Sequence, residues 1–272
     1  MLIGILGSAA LCGLHAYGGL AWMVGFMALL PWLRSMEGTQ TLGKALLSGY
    51  LMSVAYTLAV FTWFGSAVGS YIEIGEAAGL LLLLLAAPLF QPQIIAFALA
   101  RHLTARRHGP VLKALAATAA WLAVERLVPK MLGDTLGYGL YPSPLMRQAA
   151  DLAGSAGLTG LLLLSNEALA AAWAQHRQGI RALLKPLALG LAAPLLLLVY
   201  GGFVAPASPT TDAKPLRVGL IQSNLVDYER MRKQQGALAV VRQILDTHYA
   251  MSYDAVEHQR VDAVLRSEEH TS

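Results

Sequence analysis

Charge is scarce in this chain of 272 residues. Asp, Glu, Lys and Arg together supply 13% of it, about half the usual share of a soluble protein. Apolar residues fill 56%, and a soluble fold of this size cannot hide that many leucines and alanines, so lipid must solvate many of them. Cysteine is nearly absent. The single thiol, Cys12, excludes an internal disulfide and leaves the redox compartment undetermined; inside an apolar run it reads as buried and inert. A basic amino-terminal stretch is missing as well. Met1 leads straight into apolar sequence and further apolar runs follow, which argues against a cleaved signal peptide. The net charge of +4 does not point to nucleic acid, because most basic residues sit in short loops between apolar runs.

What is present is a series of about seven apolar runs: Leu2–Leu14, Gly18–Leu33, Ala45–Val68, Gly79–Ala100, Val111–Val128, Leu152–Trp173 and Leu183–Val204. A span needs about 20 apolar residues, so the first run is short, and Glu125 and Arg126 interrupt the end of the fifth. Loop charge tests the count. Arg34 and Lys44 follow the second run; Arg101, Arg106, Arg107 and Lys113 follow the fourth; Arg177, Arg181 and Lys185 follow the sixth. The loops after the first and third are poor in basic residues, and the one after the fifth is mixed. This alternation predicts a cytoplasmic amino terminus and an external segment after Val204, which for a bacterial inner membrane is periplasmic.

After the last run, Ala205–Pro215 reads as a Pro- and Thr-rich linker. Leu216–Gln222 alternates like a strand, and Arg230–His258 reads as a helix with Leu238, Val241, Ile244 and Leu245 on its apolar face. Val261–Leu265 reads as a second strand. Strand, helix, strand opens an α/β fold, yet roughly fifty residues cannot cover a sheet on both faces, so an unfinished domain is expected. Arg266–Ser272 (RSEEHTS) stops the apolar strand abruptly and matches a translated sequencing-adapter oligonucleotide, so it is expected to be a non-native tail.

Three stretches carry a resemblance: Trp121–Arg126 (WLAVER), Leu136–Asn166 (LGYGLYPSPLMRQAADLAGSAGLTGLLLLSN) and Arg217–Asn224 (RVGLIQSN). In this order, on this apolar scaffold, they resemble the apolipoprotein N-acyltransferases, the membrane-embedded branch of the carbon–nitrogen hydrolase (nitrilase) superfamily. One departure is Leu132–Tyr138 (LGDTLGY), which stands where the family has a Gly-Phe-Pro-Trp loop. The resemblance implies a polytopic α-helical membrane bundle of about seven spans, followed by the first β-α-β elements of an α/β nitrilase-like domain. It also implies chemistry that needs no cofactor and no metal. A Glu takes the proton of a Cys thiol, the thiolate attacks an acyl carbonyl, and a Lys stabilises the oxyanion. The donor is a membrane phospholipid, and the acceptor is the α-amino group of the diacylglyceryl-cysteine that begins a diacylated lipoprotein. Glu268 stands in register with the base, although Arg266 and Ser267 replace the family's Trp-Pro before it. The Lys and Cys would lie beyond Ser272, and Cys12 has no base near it in sequence, so the chain is expected to be inactive by itself.

Other residues invite two readings each. Glu125 and Arg126 would bind a lipid head group or a substrate amine, or pair with each other or snorkel to the interface. Tyr138 and Tyr141 would line the outer mouth of the site, or merely decorate a loop stiffened by Pro142 and Pro144. Asn166 and Glu167 are expected to form interhelical hydrogen bonds, and Trp22, Trp32, Trp63 and Trp173 to be interfacial anchors. Two rival functions stay open. One is a membrane-anchored hydrolase of the same superfamily with water as acceptor. The other is a non-enzymatic membrane protein or transporter, which predicts paired charges and broken helices near the midplane; Pro88 and Pro92 interrupt the fourth run.

Overall fold

The computed structural model describes residues 1–38, 41–130, 132–204, 214–222 and 228–266. They fall into two units, Met1–Ala205 and Pro206–Ser272. Helices occupy all seven apolar runs of the first unit: α1 (Leu2–Tyr17), α2 (Leu30–Met36), α3 (Leu42–Tyr71), α4 (Glu76–Phe90), α5 (Pro92–Ala105), α6 (Pro110–Leu127), α7 (Ala150–Gln175) and α8 (Ile180–Val204). A 3-10 segment, Gly19–Phe26, precedes α2, and two more, Leu136–Leu140 and Met146–Ala149, lie between α6 and α7. Local chemistry sets the starts. Thr41 accepts a hydrogen bond from the backbone N–H of Lys44 at 3.3 Å to cap α3. Proline opens α5 and α6, where its missing N–H costs nothing.

Four helical segments are long and apolar enough to cross a membrane: Gly19–Met36, Leu42–Tyr71, Met146–Gln178 and Ile180–Val204. The pair α4 and α5, bent by 45° at its break, raises the number to five. The difference from seven lies in α1 and α6. With 16 residues, α1 rises about 24 Å, short of the ~30 Å hydrocarbon core; α6 carries Lys113, Glu125 and Arg126. The bend follows from Pro92, which withdraws the N–H that would have bonded to the carbonyl of Pro88.

Outside, the unit is apolar: Ile3, Leu20, Leu89 and Phe203 are each at least 78% exposed, the surface expected where lipid is the solvent. Inside, aromatic rings form a column. Trp32 meets Phe97 at 5.7 Å, and Phe97 meets Trp121 edge-on at 5.8 Å. Trp32 is therefore not the expected interfacial anchor. It is wholly buried, its ring N–H donates to Ser48 Oγ at 2.9 Å, and its backbone N–H donates to Ser8 Oγ at 2.8 Å. Trp63 and Trp173 are 64% and 54% exposed and keep the anchor reading. The α3–α4 hairpin closes on glycine: a Cβ on Gly69 would lie 2.4 Å from the Gly75 carbonyl oxygen, and one on Gly79 2.5 Å from Gly69. Gly65 and Gly69, four apart, let the two backbones meet as small residues do between membrane helices.

The second unit holds β1 (Val218–Ile221), α9 (Tyr228–Gln235), α10 (Ala237–Glu257) and β2 (Ala263–Arg266). The strands pair in parallel, Val218 with Ala263 through Ile221 with Arg266. The single expected helix is two, because Gly236 adopts a φ of +86°, which L side chains rarely adopt. Of the expected apolar face, Val241, Ile244 and Leu245 are half-buried and Leu238 is 88% exposed, while Val240, His248 and Ala255 are fully buried. Arg266 belongs to β2 rather than to the expected tail, and the rest of that tail, Glu268 included, lies outside the described residues. The linker, apart from Lys214 and Pro215, lies outside them too. Val218, Leu220 and Leu265 are exposed, as expected of a strand pair without outer layers.

Candidate functional site

The loop between α6 and α7 folds against the bundle, burying Leu136, Leu140 and Met146. A polar network holds it there. The backbone N–H of Gly137 donates to Thr159 Oγ1 at 2.9 Å, the Thr159 and Thr135 hydroxyls meet at 2.5 Å, and Thr135 donates to Glu125 Oε2 at 3.0 Å. One direction of donation satisfies all three bonds and ends on the carboxylate, so each strengthens the next. Lys130 lies 3.5 Å from Glu125 Oε1 and 3.0 Å from Asp134 Oδ1, and it donates to the Asp134 carbonyl at 2.6 Å. At the α4–α5 break, buried Gln93 donates to Gln91 at 2.6 Å, and Gln91 donates to Asp134 Oδ2 at 3.1 Å. The break is thus tied to the loop. His15 adds a strut from α1, with Nδ1 3.0 Å from the Trp22 carbonyl oxygen and Nε2 3.0 Å from that of Leu136.

The candidate residues of this region separate. Glu125 is engaged with Lys130 and Thr135 rather than with Arg126, which is exposed. Tyr138 and Tyr141 are 58% and 70% exposed on the loop's outer side, and the Arg147 guanidinium lies 4.9 Å over the Tyr141 ring. Cys12 is buried, as expected. Among the described residues no group of His, Cys, Asp or Glu is placed to hold a metal ion.

A second buried network bears out the interhelical bond expected of Glu167, while its partners Arg101 and Glu37 were missed in the sequence. Arg101, counted there as a loop charge, lies inside α5. Its Nε donates to Glu167 Oε1 at 2.6 Å and its Nη2 to Glu37 Oε1 at 2.7 Å, with side-chain exposures of 6% for Arg101 and 3% for Glu167. Lys113 lies 3.5 Å from the same Glu37 oxygen. Burial pushes the Glu37 carboxyl up, but the hydrogen bond and charge of Arg101, with those of Lys113, outweigh it and hold Glu37 below the ordinary range. The available clue was that Glu167 is the lone acid in an otherwise uncharged stretch of α7, a position that demands a partner. Beside it, Asn166 makes the expected interhelical bonds. It accepts from the Leu29 N–H at 2.7 Å and donates to the Gly25 carbonyl at 2.8 Å, meeting backbone groups left open where the 3-10 segment gives way to α2. Paired charges and a broken helix are therefore both present, as a transporter would require. Here the charges meet each other, and the break is tied to a loop.

Residues 8–168 match the family described as "Apolipoprotein N-acyltransferase N-terminal domain". The chain is similar to an apolipoprotein N-acyltransferase of Rhizobium etli, 30% identical over 265 residues, covering 92% of this chain and 47% of that protein. It is also similar to one of Rhizobium leguminosarum bv. trifolii, 30% identical over 263 residues, covering 90% and 47%. A third, from Nostoc sp., is 28% identical over 160 residues, covering 58% and 31%. The chain thus spans about half the length, or less, of the curated relatives it matches. A family match over more than half of the chain, on a helical bundle with an apolar exterior, leads to one conclusion: the chain belongs to the apolipoprotein N-acyltransferase family.

Proposed function

We propose that this chain is the membrane part, with the opening elements of the catalytic domain, of an enzyme that transfers an acyl chain from phospholipid to the α-amino group of a lipoprotein's diacylglyceryl-cysteine. The observation that carries the reading is the family's N-terminal domain over residues 8–168, joined in one chain to a parallel strand–helix–strand unit. In this reading β1, α9, α10 and β2 begin a nitrilase-like domain, and Glu268 matches the base in register alone, since it stands in the stretch read as a non-native tail. The thioester chemistry is that of the family. Purified from its full reading frame, the protein is expected to add one acyl chain to a diacylated lipopeptide, read as a mass gain. Ammonia released from small amides, with the lipopeptide unchanged, would favour hydrolysis instead.

The seven helical runs all cross the bilayer in this proposal, α1 and α6 with help from local thinning and snorkelling charges. The amino terminus is cytoplasmic, and the chain after Val204 is periplasmic. Reporter fusions after Arg107 and after Val204 are expected to report cytoplasm and periplasm respectively; the same compartment from both would sink the topology. On the periplasmic side, exposed Arg126 would meet a phospholipid head group, and Tyr138 and Tyr141 would line the mouth through which acyl chains pass. Glu125, held by Lys130 and Thr135, acts as a positioning residue for that loop.

A further inference from the structure

A groove of about 570 Å³ runs between α6, α7 and α8, on the far side of the bundle from the tyrosine loop in the topology proposed above. Its walls include Val111, Leu115, Leu189 and Leu196, which are 66%, 48%, 55% and 62% exposed. Along α8 the lining runs from Arg181 to Leu196, a rise of about 22 Å, more than one leaflet's share of the ~30 Å hydrocarbon core. At one end stand Arg181 and Lys185, both exposed and without an ion pair among the described residues, with Gln175 across from them on α7. The one carboxylate in the lining, Glu167, is held by Arg101 at 2.6 Å and lies about 12 Å deeper along α7 than Gln175.

Arg181 sits where a helix tolerates a cation least. α8 has no acid in its first turn, so Arg181 adds charge to the positive end of its dipole, and Lys185 adds a second cation one turn further on. An anion there relieves the repulsion between them and meets that dipole as well. Pro186 adds an acceptor: lacking an N–H, it leaves the carbonyl of Ala182, another lining residue, without its helical donor. A phosphate between two cations, a hydroxylated head beside a free carbonyl, and an acyl chain along an apolar wall describe one molecule.

We propose that this groove binds an anionic phospholipid of the cytoplasmic leaflet, phosphate between Arg181 and Lys185 and one acyl chain against α6 and α8, at a site separate from the acyl-donor site. Basic pockets between membrane helices on the cytoplasmic side recognise acidic head groups in this way. The leaflet assignment rests on the proposed topology, but head-group selectivity in detergent does not, so the two can fail separately. The test is native mass spectrometry of the whole chain with equimolar phosphatidylglycerol and phosphatidylcholine of identical chains. Phosphatidylglycerol is expected to be retained on the order of ten-fold better at low salt. The double variant R181Q/K185Q, at two exposed positions, is expected to abolish that preference, whereas R107Q in another basic loop leaves it intact. Equal retention of the two lipids, a preference that survives R181Q/K185Q, or an equal loss from R107Q would each overturn the site.

Discussion

Replacing Arg101 by alanine is expected to destabilise the membrane unit by about 3–5 kcal/mol, the cost of stranding a buried charge. Glu167 would keep a carboxylate in a nearly dry position, and Glu37 would retain only Lys113, at 3.5 Å. Lysine at 101 is not a substitute, because one ammonium cannot present the two separated N–H donors that reach Glu167 and Glu37 from different sides. The double variant R101M/E167L removes both charges at similar volume and is expected to lie much closer to the parent, since apolar replacement of a buried pair is often neutral. Unfolding in detergent measures all three. Arg101→Ala within about 1 kcal/mol of the parent would mean that water reaches Glu167 freely. Acid should weaken the network from its Glu37 side. That carboxyl's folded pKa lies below its unfolded one, so its contribution is full near neutrality and is lost as pH falls through the lowered value.

The chain of 272 residues is expected to form no acyl-enzyme, and so to leave a strain depleted of its own N-acyltransferase without growth. A thioester needs a thiolate within reach of a base and of the acyl carbonyl. The only thiol here is Cys12, which is 1% exposed inside α1. Burial of this kind keeps substrate away from the sulfur. Incubation with radiolabelled phospholipid is expected to leave no hydroxylamine-sensitive label on the protein, and Cys12→Ser should behave identically. Labelling that disappears in Cys12→Ser would place the nucleophile in the bundle and sink the proposed division of labour.

Apolar runs, loops and strands were legible because their signals are local. A stretch of 20 or more apolar residues, a proline at a helix start or an alternating VGLI segment declares itself within a few positions. Pairings across the bundle were not. Arg101 and Glu167 are 66 residues apart, and Asn166 meets Gly25 from 141 positions away. Trp32 looked like an anchor because tryptophans near span ends often are; the hydroxyl of Ser48 that lets it be buried stands on the next helix, 16 positions on. On α10 the expected Val241, Ile244 and Leu245 are half-buried, and of the four expected residues Leu238, in the first turn after Gly236, is the one left exposed. At the site, Tyr138 and Tyr141 could be placed from sequence on the loop between the fifth and sixth apolar runs, but the Thr159–Thr135–Glu125 relay that fixes the loop could not.

Those same separations set an order of assembly. Gly65, Gly69 and Gly79 meet across a four-residue turn, so the α3–α4 hairpin can close while the ribosome is still making α5. Glu37 can find Arg101 soon after. The open carbonyl of Gly25, the open N–H of Leu29 and the remaining face of Arg101 must all wait for α7, which delivers Asn166 and Glu167 as adjacent residues. Until that helix inserts, each of those groups has only water, lipid head groups or a membrane chaperone to turn to. The bundle is latched only when its seventh helix arrives, at two neighbouring positions of that one helix.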